Sequence, residues 1–336
     1  MGFGTYLLRR VLHLIPVLVG LSVLIFIVSR VIPGDPVRLA LGPDAREEQV
    51  QQLRHQMGLD RPLYVQYVTY MAGLFRGDFG FSLRTHRDVA KDLRDFFPAT
   101  LELTSVAMLL AVALGVPLGI RAAVRKDALD DHISRIVALI GVALPRFWLA
   151  ILLQLAFAYH LGLLPTIGRG PAPPVRITGL YLLDSVLAGD FGAFVTSLKY
   201  LAMPAFALSV GTLAQIMRLI RAGMIEEMRR DYALAARSYG LPPRLIIYRY
   251  LLKNAFTATL TIIGLSYGFL LGNAFLVETV FAWPGLAFYG VDALLWKDFN
   301  AVIAVTLVVG AAYAVVNLLV DLLYGYLDPR IRYGEG

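Results

Sequence analysis

Three charged residues, Arg146, Glu102 and Glu278, fall in stretches that are otherwise apolar, and they are the first candidates for chemistry. An ionisable side chain inside a membrane-spanning segment is rare. It usually pairs or faces a water-filled cavity, and it is a functional hypothesis by default. Arg146 follows Pro145 near the middle of an apolar run, where it either lines an internal path or pairs with an acid such as Glu102 or Glu278. For Glu102, and for Asp321 near the end of the last apolar run, packing or interfacial roles are the alternative. No catalytic residue emerges, because no Ser/His or paired-carboxylate constellation is present. His55, His86 and His160 stand singly, without the i, i+4 spacing of a metal-binding helix. With no cysteine there is no thiolate metal site and no disulfide framework.

A second candidate is the basic segment from Arg221 to Lys253, with seven basic residues against Glu226, Glu227 and Asp231. Asp231 is placed to cap a short helix, Tyr232–Tyr239, rich in small residues at Ala233, Ala235 and Ala236. Gly240 ends that helix in the left-handed region. Leu241-Pro242-Pro243 then turns the chain, and a second helix from Arg244 to Asn254 leads into the next apolar run. A helix–glycine–helix elbow would present a rigid knob whose small side chains let a partner's backbone come close. The alternative is a loop that is basic only because cytoplasmic loops are. Gly264, Gly268 and Gly272 repeat every four residues, a small-residue face suited to close helix contact within the chain or with a partner.

The elements that must position these residues follow from composition. Of 336 residues, 58% are hydrophobic and 16% charged, with mean hydropathy +0.66. Ordinary soluble domains sit near ~45–50% and ~25%. The chain therefore reads as a polytopic all-α membrane protein. Stretches of about 20 apolar residues, enough to cross a bilayer, lie at Val11–Ser29, Thr100–Val124, Ile136–His160, Tyr200–Leu219, Ala255–Phe281 and Ala301–Tyr326, which makes six spans. The fourth, carrying Pro204 and Gln215, has the weakest pattern. The first run is too long for a signal peptide and no cleavage site follows it. With the N-terminus inside, cytoplasmic segments hold sixteen basic residues and the two short outer loops four, so both termini are expected in the cytoplasm.

The division expected is residues 1–30 as an N-terminal segment with the first span, 31–98 as an ordered helical outer cap, and 99–336 as the transmembrane core. The core carries the cytoplasmic loop 221–254. Within the cap, Glu47–Met57, Leu63–Phe75 and Arg87–Phe97 read as helices. The second outer loop, 161–198, has an interfacial helix at Tyr181–Leu187.

The segment Asp231-Tyr232-Ala233-Leu234-Ala235-Ala236-Arg237-Ser238-Tyr239-Gly240 resembles the EAA loop of bacterial ABC importer permeases. Leu234 stands where many permeases have Glu, and Tyr250 and Lys253 replace an Ile and a Pro of the broader pattern. The rest of the chain resembles the dipeptide/oligopeptide/nickel branch of that family. The resemblance rests on Pro33-Gly34-Asp35-Pro36, Gly58-Leu59-Asp60-Arg61-Pro62, Gly77-Asp78-Phe79-Gly80-Phe81-Ser82, Ala99-Thr100-Leu101-Glu102-Leu103 and Leu163-Leu164-Pro165 with Gly168-Arg169. It continues through Val277–Leu286, Val316–Gly325 and Asp328-Pro329-Arg330-Ile331-Arg332. The chain looks most like the B-type permease of a dipeptide transporter.

This resemblance implies six helices in the type I ABC importer permease arrangement, in the cell inner membrane. It implies a second homologous permease, two ABC ATPases, an external substrate-binding protein and a peptide substrate as partners, along with membrane lipid but no nucleic acid. ATPase coupling would fall to Asp231, Tyr232, Ala235, Ala236, Arg237, Gly240 and Leu241. The chain has no G-x-x-x-x-G-K-[ST] motif, so it would hold no cofactor itself, and ATP and Mg would be bound by the ATPases. Arg146, Glu102 and Glu278 become possible translocation-path residues, with Arg146 able to meet a peptide carboxylate. A nickel importer of the same family is the near alternative. An ion-coupled secondary transporter is the alternative from another class, but the spans show neither an acidic cluster nor a duplicated half.

Overall fold

The computed structural model describes residues 3–31, 36–42, 45–56 and 58–327. The expected motifs Pro33-Gly34-Asp35 and Asp328–Arg332 lie outside the described residues, as do the side chains of Arg9, Arg10 and Asp321. Among the described residues the architecture is all helical, with one isolated bridge between Phe81 and Asp88. In chain order the helices are α1 (Phe3–Val31), α2 (Pro36–Leu41), α3 (Glu47–Gln56), α4 (Leu63–Phe75), α5 (Val89–Val124), α6 (Leu129–Ala143) and α7 (Arg146–Leu153, continued by a π-helical turn Gln154–His160). They are followed by α8 (Tyr181–Leu187), α9 (Phe191–Glu227), α10 (Asp231–Ser238), α11 (Pro243–Leu245, continued by a π-helical turn Ile246–Leu251), α12 (Leu252–Val280), α13 (Leu286–Leu295) and α14 (Phe299–Leu327).

Five of these are long and apolar enough to cross a membrane, and the bent pair α6–α7 brings the count to six if its two limbs form one span. The fourth span, weakest in the sequence pattern, is the most enclosed. In its most apolar window 67% of α9 is buried, against 11% for α1, so α9 is the axis of the bundle and α1 faces outward. Polar residues such as Gln215 and Ser209 lower its hydropathy and are tolerated because Ser209 is buried in protein and Gln215 lines a cavity. The core joins Leu103, Ala107 and Ala111 of α5, Leu208, Ile216 and Ile220 of α9, and Leu270 and Ala274 of α12. Gly115 and Gly119 let α5 and α9 meet backbone to backbone. A Cβ on Gly119 would sit 2.7 Å from the Met217 carbonyl oxygen, and one on Gly115 would sit 3.0 Å from that of Leu213. Close approach through small residues is how helices gain contact where lipid gives no hydrophobic drive.

Two expectations about the spans need correction. The cap helix Arg87–Phe97 and the second span are one helix, α5, which runs unbroken across residue 98. At 36 residues it is ~54 Å long at 1.5 Å per residue, well beyond the ~30 Å hydrocarbon core, so it joins cap to bundle as one rod. Pro98 lacks an N–H, but its neighbours are held from outside: Trp283 Nε1 donates to the Ala99 carbonyl at 3.1 Å, and Thr100 is buried. The third span is broken, not continuous. α6 and α7 meet at 105°. Leu144, with φ −71° and ψ 125°, is extended, as the residue before Pro145 is driven to be.

The cap is docked on the N-terminal end of α14. Asp298 accepts from the Ser82 hydroxyl at 2.5 Å, and its other oxygen accepts from Ala301 N at 3.2 Å, capping the helix. Asp92 accepts from Thr85 at 2.5 Å and from the Tyr289 hydroxyl at 3.0 Å, and Phe96 stacks on Tyr289 with centroids 4.9 Å apart.

Candidate functional site

The basic elbow forms as a separate short helix, α10, at the end of α9. Asp231 does not cap it. The helix begins at Asp231, Arg230 is the extended residue before it, and no side-chain cap bond is made. The carboxylate instead lies in the first turn, where the helix dipole favours it. Gly240 follows the helix at φ +70°, and a Cβ there would meet nothing within 4 Å. The expected surface divides in two. Ala233 and Ala236 are buried in the bundle core, and Tyr232 and Leu241 are half-buried against it. Ala236 is therefore not open to a partner, a correction that follows from the alanine face being spent on the bundle itself.

Asp231, Ala235, Arg237 and Gly240 are exposed. Beside them stand two residues that the sequence reading did not place among the coupling residues, Leu234 at 65% exposure and Tyr239 at 84%. Large apolar side chains displayed on so short a helix next to a glycine were the available signal. The elbow is held rigidly. Tyr232 donates its hydroxyl to Glu227 at the end of α9, and Asn254 Nδ2 of α12 donates to the same hydroxyl at 3.1 Å. Burial, then the neighbouring Glu227, raises the Tyr232 pKa above the ordinary phenol value, so this hydroxyl stays a donor.

The three charged span residues are not brought together. Glu102 is paired with Arg169 of the second outer loop, Oε2 to Nη2 at 2.6 Å and to Nε at 3.2 Å, both side chains 4% exposed. Its other oxygen accepts from Leu182 N, in the first turn of α8, at 2.7 Å. The Arg169 guanidinium lies 3.7 Å from the Tyr181 ring centroid and 5.7 Å from that of Trp283. Glu278 is fully buried. It accepts from the Thr100 hydroxyl at 2.5 Å and from Phe288 N at 2.8 Å, while Leu286 N donates to Thr100 Oγ1 at 2.7 Å. It thus holds the N-terminus of α13 against α5. Both acids are engaged as pins between the bundle helices and the segments beside them, and neither lines the cavity around Arg146.

Arg146 stands alone at the break between α6 and α7. Among the described residues no carboxylate forms an ion pair with it. It lines a cavity of about 420 Å³ together with Gly141, Gly211, Thr212, Gln215, Arg218 and Ser266, walled by apolar residues of the same helices. A Cβ on Gly211 would lie 3.9 Å from Arg146 Nη2, so the glycine leaves the guanidinium its room beside α9. The glycine stripe on α12 also divides. A side chain on Gly264 would collide with Val320, and one on Gly268 with the Tyr313 ring, both on α14, whereas Gly272 faces open space. The first two serve packing within the chain. Among the described residues no group of His, Cys, Asp and Glu could hold a metal ion.

Residues 115–333 match the family described as "Binding-protein-dependent transport system inner membrane component", and residues 4–104 match its N-terminal counterpart, "Binding-prot-dependent transport system membrane comp, N-term". The chain is 45% identical over 339 residues, covering all of both chains, to the probable D,D-dipeptide transport system permease protein DdpB of Escherichia coli K12. It is 41% identical to the dipeptide transport system permease protein DppB of Alkalihalophilus pseudofirmus, covering 98% of this chain and 99% of that one. To the glutathione transport system permease protein GsiC of Escherichia coli K12 it is 35% identical, with the same coverage. Its fold is similar to that in an inward-facing structure of the MetNI methionine ABC transporter, with TM-score 0.51 and 18% identity, over 68% of this chain and 93% of that chain.

Proposed function

The chain belongs to the family of binding-protein-dependent transport system inner membrane components, and on that premise we propose that it carries di- or oligopeptides across the membrane for an ATP-driven importer. It is a multi-pass permease subunit of an ABC transport system, a family that works with ATPase and binding-protein components. The peptide reading rests on full-length similarity to permeases whose names specify D,D-dipeptides, dipeptides and glutathione. In the finer reading the assembly holds a second homologous permease and two ATPases, with both termini of this chain in the cytoplasm. ATP and magnesium reside on the ATPases. This chain's part is mechanical: α10 sits in a groove of an ATPase, receives its closing motion and passes it to α9 and α12.

The observation that carries this reading is the elbow. A short helix exposes Leu234, Tyr239 and Arg237, is hydrogen-bonded at Tyr232 to Glu227 and Asn254, and ends on an open glycine. A displacement applied to such a knob moves both long helices, because it cannot be absorbed locally. The test is Gly240→Trp in the complex purified with its ATPases. The bulky ring meets no atom within 4 Å, but φ +70° strains any residue other than glycine, so Gly240→Ala is prepared beside it as the control: the alanine variant keeps its ATPases and its uptake, whereas in the tryptophan variant the ATPases are lost and ATP-dependent uptake stops. Retained ATPases with normal uptake would refute the elbow. ATP-dependent uptake of labelled dialanine against uptake of nickel ions separates the two substrates. Uptake by this chain alone under a proton gradient, without ATP, would point to the secondary transporter.

A further inference from the structure

Resting on the peptide reading above, we infer that this subunit forms the carboxylate-binding side of the path, with Arg146 and Arg218 as two successive stations for a peptide's free α-carboxylate. Both guanidiniums line the 420 Å³ cavity, and no acidic residue does. The remaining polar lining consists of neutral groups, at Thr212, Gln215 and Ser266. A cavity with low-dielectric walls and charge of one sign concentrates ligands of the other sign. Arginine also presents a planar fork that matches a carboxylate in two parallel hydrogen bonds. The acids of this chain that Arg146 was expected to meet are committed elsewhere, Glu102 to Arg169 and Glu278 to Thr100 and Phe288.

Place and order follow from the helices. Irregular backbone at membrane depth is tolerated where it is covered by protein or lines a water-filled cavity, and the extended Leu144–Pro145 break, with Arg146 directly after it, lines this one. Such breaks are where transport proteins build substrate sites. On α9, Gly211, Gln215 and Arg218 fall at i, i+4 and i+7, hence on one face. Arg146 reaches α9 at Gly211, so Arg218 lies about 10 Å further along the axis, toward the end that carries α10. Gln215 stands between them. Arg218 also borders the adjoining cavity of about 470 Å³, whose lining includes Arg135 and Arg221. Those two arginines are tied to Asp131, Arg221 at 2.5 Å and Arg135 at 3.6 Å. Of the four arginines that border the two cavities, Arg146 and Arg218 form no ion pair among the described residues, and a carboxylate leaving the first has a neutral donor and then a second cation ahead of it.

The absence of cysteine from this chain allows a test that does not pass through the binding protein. Val210 lines the cavity and is half-buried. Val210→Cys is prepared in the assembled complex in nanodiscs without binding protein, and its reaction with an anionic sulfonatoethyl methanethiosulfonate is compared with that of a cationic trimethylammonioethyl reagent. Rates are referred to a free thiol and to the complex without the substitution. The expected result is a preference of about tenfold for the anion, reduced by either Arg146→Gln or Arg218→Gln and lost when both are present. Millimolar dialanine slows the reaction, and alanyl-alaninamide does not. Equal rates for the two reagents, a preference that survives both substitutions, or equal protection by the amide would each overturn the stations. Uptake of dialanine by the unsubstituted complex is measured alongside. Uptake without the cavity preference overturns the stations alone, and absence of uptake overturns the peptide reading.

Discussion

Arg169→Met tests whether the buried Glu102–Arg169 pair anchors the second outer loop to α5. The substitution keeps an apolar stem over Tyr181 but removes the guanidinium, leaving Glu102 buried with one backbone donor, Leu182 N. Losing one partner of a buried pair costs roughly 3–5 kcal/mol, chiefly because the remaining charge is uncompensated. The wild-type geometry gives that range content: two contacts to one carboxylate oxygen at 2.6 and 3.2 Å, a bond from Nη2 to the Gly179 carbonyl at 2.7 Å, and an aromatic face at 3.7 Å. Glu102→Gln strands the arginine in the same way, and the expected loss is of the same order. In the double variant no charge remains buried, so its loss falls short of the sum of the single losses by about 2 kcal/mol or more. The assay is chemical unfolding of the purified subunit in mild detergent, followed by tryptophan fluorescence, since Trp283 lies 5.7 Å from the guanidinium. Single losses below about 1 kcal/mol, or additivity within about 0.5 kcal/mol, would refute the argument that this pair bears the loop.

Two further outcomes follow from geometry already given. Gly268→Val forces a branched side chain into the Tyr313 ring and is expected to cost about 1–3 kcal/mol by overpacking, whereas Gly272→Ala, into open space, stays within about 0.5 kcal/mol; thermal unfolding of the two variants in the same detergent checks the contrast. Burial disfavours the Asp184 carboxylate, but hydrogen bonds from Thr178 N, the Thr178 hydroxyl and Gly179 N outweigh it and hold its pKa below the ordinary value. A depressed folded pKa means stability that is complete above the unfolded value of about 3.9 and is lost as pH falls from there through the folded value. Hydrogen exchange across residues 176–190 should therefore rise in that acidic window, and in Asp184→Asn the rise should be absent.

Much of this fold is legible in the residues, and its failures have physical causes. Six apolar stretches gave six spans because lipid imposes a length and a composition on any helix that crosses it. The elbow was legible because Gly240 and the proline pair are conformational commands. The merging of the cap helix with the second span was not, because Pro98 ordinarily signals a stop and only the distant Trp283 and Thr100 contacts hold α5 through it. The break in the third span was signalled at Leu144–Pro145, but its 105° angle depends on where α9 and α12 lie. In the same way the alanines of α10 announced close packing without saying against what, and α10 turned Ala233 and Ala236 to the bundle, leaving Leu234 and Tyr239 outside. The pairing of Glu102 with Arg169 spans 67 residues, and no local pattern encodes it.

These long-range pairings also explain why one cavity is left cationic. A membrane subunit with few span charges must neutralise each within the fold or leave it to something that passes through. Both span acids discussed here are neutralised within the fold: Glu102 draws in the loop cation Arg169, and Glu278 is satisfied by a hydroxyl and the start of α13. On the α10 side of the break, Asp131 takes Arg221 and Arg135 in the same way. Among the described residues no acid lines the cavity around Arg146. An arginine without a partner beside Pro145, opposite Gly211, is expensive to hold in a bundle of helices unless water and an anionic visitor share the space with it. The same choices that pin the loops to the bundle therefore set the sign of charge in the cavity.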